Sequence, residues 1–250
     1  MKKLLAVFLI AIMSLAAGCG SEPDKAAENP ETTVAEEAQT PEADTERPVD
    51  ASWFDDAVFV GDSVTLKLSY YNDENPEALG GAQFFCAGSL GYNSALWDID
   101  DERAVHPYYK GQVELCENCA VRTGATKVFV MLGMNDIAVY GTDGTLEATA
   151  KLLKSIKKNS PDVTFYLQSV TPIMTGHEIG DLNNENIREF NAKLEAYCAR
   201  HKLKYLDIYS LVADEDGYLE PDYCGDQGAQ GIHFTSEACR MWSEYLKENV

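Results

Sequence analysis

Basic residues are scarce in this chain: 20 Lys and Arg against 41 Asp and Glu leave a formal charge of −21. A surface that acidic repels phosphate backbones and anionic headgroups, which argues against binding nucleic acid through a basic groove. The sequence also lacks internal repeats and sustained heptads, so neither a solenoid nor a coiled coil is expected. It has no second cysteine pair to complete Cys116-Glu-Asn-Cys119, and no nearby histidine, so a four-ligand zinc site is not expected and no cofactor is implied. The remaining cysteines divide by setting. Cys86 lies in an apolar run, Cys198 and Cys239 fall on the apolar faces of expected helices, and all three read as small buried hydrophobes.

What is present changes along the chain. Residues 1–19 read as a lipoprotein signal: Lys2 and Lys3, then the apolar run Leu4 to Met13, then Leu15-Ala16-Ala17-Gly18-Cys19. The run is shorter than the roughly 20 residues a membrane span needs, and the last five residues resemble a bacterial lipobox. Lipidation of Cys19, with anchoring to the cell membrane on its outer side, is therefore expected. Residues 20–50 hold ten acidic residues against Lys25 and Arg47 and few large apolar groups. They read as a disordered tether with a mean reach of about 30 Å. Subtracting the tether (−8) and the signal (+2) from −21 leaves −15 on residues 51–250, a length that suits one domain with a sizeable core.

Within that domain, short apolar runs alternate with helical patterns. Strands are expected at Ala57 to Val60, Ala82 to Cys86, Lys127 to Leu132, Val163 to Ser169 and Lys204 to Ile208. Helices are expected around Ile187 to Cys198 capped by Asn186, around Ala238 to Leu246 started by Thr235, and after Thr145. This alternation predicts a three-layer α/β/α sandwich around a mostly parallel five-stranded sheet. Ligands of such sheets bind beyond the carboxyl ends of the strands. Gly61-Asp62-Ser63, Gly91 and Gly133-Met134-Asn135-Asp136 each follow a strand, and His233 precedes the last helix, so all converge on one edge.

Those residues suit acyl transfer. Ser63 offers a hydroxyl nucleophile at a strand-to-helix corner, His233 a base, and Asn135 a neutral donor for an oxyanion. The Gly91 amide offers a further donor, although Gly88 competes for that place. Asp62, adjacent to Ser63, reads as a loop organiser. Of the other histidines, His106, before Pro107, could line a cleft, whereas His177 and His201 read as solvated or structural.

The four blocks resemble those of the SGNH (GDSL-type) hydrolases: Ser63 in Val60-Gly61-Asp62-Ser63-Val64, Gly91, Asn135 in Gly133-Met134-Asn135-Asp136, and His233. The resemblance implies a flavodoxin-like fold, serine attack with histidine as base, and an oxyanion hole from the Ser63 and Gly91 amides and the Asn135 side chain. The family pattern places an aspartate three residues before the histidine, where this chain has Gln230. Asp226, seven before it, is the nearest carboxylate and is expected to contact the His233 ring on the side away from Ser63; a serine-histidine dyad and loss of activity remain open. The expected function is an extracytoplasmic serine esterase acting on an acylated carbohydrate such as an O-acetylated wall polysaccharide. The alternatives are an O-acyltransferase and a non-catalytic glycan-binding lipoprotein.

Overall fold

β-Branched and aromatic runs pair into a sheet whose two faces are set by alternation along each strand. The computed structural model describes residues 47–250; the signal, Cys19 and nearly all of the tether lie outside the described residues. Among the described residues seven strands form: β1 (Ala57–Gly61), β2 (Gln83–Cys86), β3 (Tyr108–Tyr109), β4 (Gln112–Val113), β5 (Lys127–Met131), β6 (Thr164–Gln168) and β7 (Lys204–Leu206). Five of them pair in parallel in the order β2-β1-β5-β6-β7. β3 and β4 form a separate antiparallel hairpin. Its two-residue turn places Lys110 (φ 46°) and Gly111 (φ 85°) in the left-handed region that such turns require.

Successive strand residues face opposite layers. Val58, Val60, Val128, Val130, Phe165 and Leu167 pack with α2 (Cys119–Thr123), α3 (Ile137–Asn159) and α4 (Asn184–His201). On the other face, Phe59, Phe129, Met131, Tyr166 and Leu206 pack with α1 (Ser63–Glu74), α5 (Ile208–Val212) and α6 (Ser236–Asn249). The expected flavodoxin-like three-layer sandwich is the fold observed. A row of aromatic rings crosses four strands of the second face. Phe59 lies opposite Phe84 and Phe129, and Phe129 opposite Tyr166. Their ring centroids are 5.2, 4.5 and 4.5 Å apart and the rings are stacked.

Strand ends shift by a residue at several places, and three larger differences from the sequence reading carry a hydrogen bond that periodicity does not encode. β7 stops at Leu206 because the Asp207 side chain accepts from Ser210 N and starts α5, taking Ile208 into a helix. α4 is capped by Asn183, which accepts from Asn186 N at 2.8 Å, so Asn186 lies inside the helix. α3 begins at Ile137, eight residues before Thr145, with a break at Gly141 (φ 67°, ψ 174°). The Thr145 hydroxyl donates to Gly141 O at 2.7 Å, marking where the regular helix resumes. The thiols of Cys86, Cys116, Cys119, Cys198, Cys224 and Cys239 are free and buried. Burial pushes Cys119 and Cys239 up to about 12, as expected of unreactive core thiols.

Candidate active site

Gly61, Cys86 and Met131 lie side by side at the ends of β1, β2 and β5, so the three loops that follow emerge together from one edge. The first loop is tight. A Cβ at Gly61 would come within 2.0 Å of the Thr65 hydroxyl oxygen, so β1 can turn into α1 here only with glycine. Asp62 caps α1 by accepting from Val64 N at 3.0 Å. Burial of its carboxyl pushes its pKa up to about 7, against the opposing pull of that bond and of His233. Ser63 is the first residue of α1, where a main-chain N–H has no partner within the helix and the dipole favours negative charge.

The Ser63 hydroxyl lies 2.9 Å from His233 Nε2, and His233 Nδ1 lies 2.7 Å from Asp226 Oδ2. Asp226 Oδ1 accepts from the N–H groups of Ile232 and His233, at 3.0 Å each, and from the Cys224 thiol at 3.3 Å. Burial alone would raise this carboxyl. The bonds from His233 and Cys224 outweigh it and hold Asp226 at about 2. An ionised carboxylate accepts only, so Nδ1 carries the hydrogen and Nε2 presents its lone pair to Ser63. Gln230, three residues before His233, is exposed and reaches Asp226 through its main-chain N–H at 3.3 Å.

Asp226 and His233 are joined by a short paired segment. Gly225 N donates to His233 O at 2.7 Å, Thr235 N donates to Tyr223 O at 2.9 Å, and Cys224 bridges Phe234. A Cβ at Gly225 would meet Phe234 O at 2.9 Å, so this pairing fixes glycine there.

The second and third loops meet across Asp136. Asn135 Nδ2 donates to Leu90 O at 3.0 Å, leaving its second N–H free. Asp136 is buried; its Oδ2 accepts from Tyr92 N at 2.7 Å and its Oδ1 from Asn93 N at 2.9 Å. A Cβ at Gly91 would lie 2.6 Å from that carboxylate, whereas one at Gly88 would meet nothing within 4 Å. Gly91 is therefore the glycine held against the site, and its N–H faces the Ser94 hydroxyl at 3.1 Å. The tie made by Asp136 spans 44 residues, and the sequence reading, which quoted Asp136 only as part of a motif, missed it.

A cavity of about 260 Å³ adjoins the His233 segment, walled by Ile173, His177, Ile179, Leu182 and Ile232. A larger one of about 530 Å³ lies at the opposite edge of the sheet, between the last turns of α3 and α4, away from Ser63. His201 is part of that second cavity and packs on Tyr197, 4.2 Å between ring centroids. His106 stays beside Asp98 O at 3.4 Å. The arrangement at the first edge offers a hydroxyl aligned with a base, a base held by a carboxylate, and helix-end and amide donors. Together these groups can attack a carbonyl and stabilise the resulting oxyanion.

A family model described as GDSL-like lipase/acylhydrolase matches residues 59–241. Solved structures that resemble the chain include a GDSL-like lipase from Bacteroides thetaiotaomicron, 20% identical over 76% of this chain and 85% of the other, with a TM-score of 0.59. A carbohydrate esterase family 3 member from Talaromyces cellulolyticus is 13% identical over 76% of this chain and 94% of the other, with a TM-score of 0.51. At these identities the likeness speaks for the fold. No curated protein matches the sequence.

Proposed function

Because the chain belongs to the GDSL-like lipase/acylhydrolase family and is an SGNH-type carboxylic ester hydrolase, we propose that it works through Ser63, His233 and Asp226. Ser63 Oγ attacks the ester carbonyl while His233 Nε2 takes its proton. The oxyanion forms against the Ser63 N–H, the free N–H of Asn135 and the Gly91 N–H, which exchanges Ser94 for the substrate. His233 then returns the proton to the departing alkoxide, and Asp226 stabilises the imidazolium in between. Water, activated by the same histidine, releases the acid and restores Ser63.

The observation that carries this reading is the unbroken relay from Ser63 Oγ through both nitrogens of His233 to an ionised Asp226. It also removes the motive for a degenerate, purely binding protein. The proposed substrate is a short acyl ester on a carbohydrate, with an O-acetyl group as the leading candidate. A carbohydrate esterase among the solved structures that resemble the chain supports that choice. Anchoring outside the cell membrane through lipidated Cys19 completes the proposal, supported by the lipobox-like peptide.

The test uses p-nitrophenyl acetate and a fluorophosphonate probe. Wild type is labelled at Ser63, and Ser63→Ala is neither labelled nor active. Asn135→Ala slows turnover by about 10²–10³, the usual loss for one oxyanion donor. Equal turnover by wild type and Ser63→Ala rejects the mechanism.

A further inference from the structure

Asp226 reaches His233 from seven residues upstream, on a loop whose residues 227–230 are exposed. The loop folds around its own acid: Ala229 N and Gly231 N donate to Asp226 O, at 2.8 and 3.4 Å, the N–H groups of Gln230, Ile232 and His233 donate to its carboxylate, and Gln227 Nε2 donates to Pro221 O at 2.6 Å. The aim of the acid then depends on how this loop is held against the rest of the domain.

We propose that His177 is that hold, a positioning residue that clamps the acid-bearing loop from the segment between β6 and α4. This inference rests on the reading of Asp226 as the acid partner of His233. His177 Nε2 lies 2.8 Å from Gln227 O, the residue next to Asp226. The face of its ring lies against Gly231, two residues before His233, where a Cβ would come within 2.5 Å of His177 Cγ. Met174 N donates to Gly231 O at 2.8 Å, so the same segment grips the loop at both ends.

The clamp is itself firmly mounted. Asn184, buried at the start of α4, accepts from Ile173 N and donates to Ile173 O, both at 2.8 Å. Glu178 Oε1 accepts from Asn184 N at 2.6 Å. His177 N donates to Met174 O at 3.1 Å, and the second ring nitrogen, Nδ1, faces Thr175 O at 3.1 Å. A carbonyl oxygen only accepts, so the contact with Gln227 O is made by an N–H at Nε2.

His177→Ala and His177→Gln test the proposal, the glutamine amide being able to replace the Nε2 donor. In the alanine variant kcat falls about 10- to 100-fold, the scale of an ångström of misplacement, with KM changed less than about twofold. The acid limb of its pH–rate profile moves to lower pH, because an imidazolium deprived of its carboxylate forms less readily. Glutamine restores most of the rate, and thermal melting shows both variants folded. Wild-type kcat in His177→Ala overturns the proposal; so does a loss that glutamine leaves unrepaired while the acid limb stays in place. Ser63→Ala keeps the two readings apart. If it retains turnover, the catalytic reading itself fails. If it is dead while His177→Ala is fully active, only the clamp fails.

Discussion

At the scale of single residues, the carboxylate of Asp226 does two jobs with two oxygens. Oδ2 holds the His233 ring, while Oδ1 gathers the N–H groups of Ile232 and His233 and the Cys224 thiol. Asp226→Asn keeps the shape but loses the charge and the acceptor-only character that fixes the imidazole tautomer. Turnover is expected to fall by up to about 10⁴-fold, the loss seen for a triad aspartate in proteases. Gln230→Asp is expected to leave the rate unchanged or raise it, since that side chain is exposed and its contact with Asp226 is through the main chain. Asp226→Asn also has a pH signature. Asp226 is held at about 2, below its unfolded 3.8, so its ionised form stabilises the fold above pH 4 and that stabilisation is lost as pH falls toward 2. Urea titrations between pH 4 and 2 should show a shallower acid loss in Asp226→Asn than in wild type. An unchanged rate in Asp226→Asn, with Ser63→Ala inactive, makes the site a dyad.

At the scale of elements, the row Phe84, Phe59, Phe129, Tyr166 ties β2, β1, β5 and β6 together through one register. Phe129 is fully buried and also contacts Phe54 and Trp53. Its truncation leaves a cavity among rings that cannot close in without breaking the register. Phe129→Ala should cost about 3–5 kcal/mol, a large share of the stability of an ordinary domain, whereas Phe129→Leu should cost less. The check is the urea midpoint at constant slope, and a loss below about 1 kcal/mol would remove the row from the stability argument. Strands and the start of α6 were legible in the sequence because alternation and the Thr235 cap are local signals. The start of α3 was not, since Gly141 interrupts the period, nor was the end of β7, which Asp207 decides by capping. In the site, the sequence pointed to Ser63, Asn135, Gly91 and His233 through short motifs at strand ends. It favoured Asp226 as the partner of His233 while leaving a dyad open, quoted Asp136 only as part of a motif, and read His177 as solvated or structural. Their contacts join loops 44 and 50 residues apart, and no neighbour in the chain announces them.

At the scale of the whole molecule, a body charge of −15 on residues 51–250 keeps the domain away from anionic surfaces, so attachment to a membrane would depend on the proposed lipid at Cys19. Cys19→Ser should move the protein from the membrane fraction to the soluble one. Wild type recovered free, with an unmodified Cys19, would refute the anchor. The separation of Ser63 from His233 by 170 positions has a further consequence, for synthesis. Synthesis makes Ser63 170 positions before His233, and the layer that Trp242 and Leu246 of α6 complete cannot form until those residues are available. Under the proposed mechanism an incompletely folded chain carries a serine with nothing to activate it. Ester cleavage would then begin only after α6 docks, which would make the onset of turnover a clock for completion of folding.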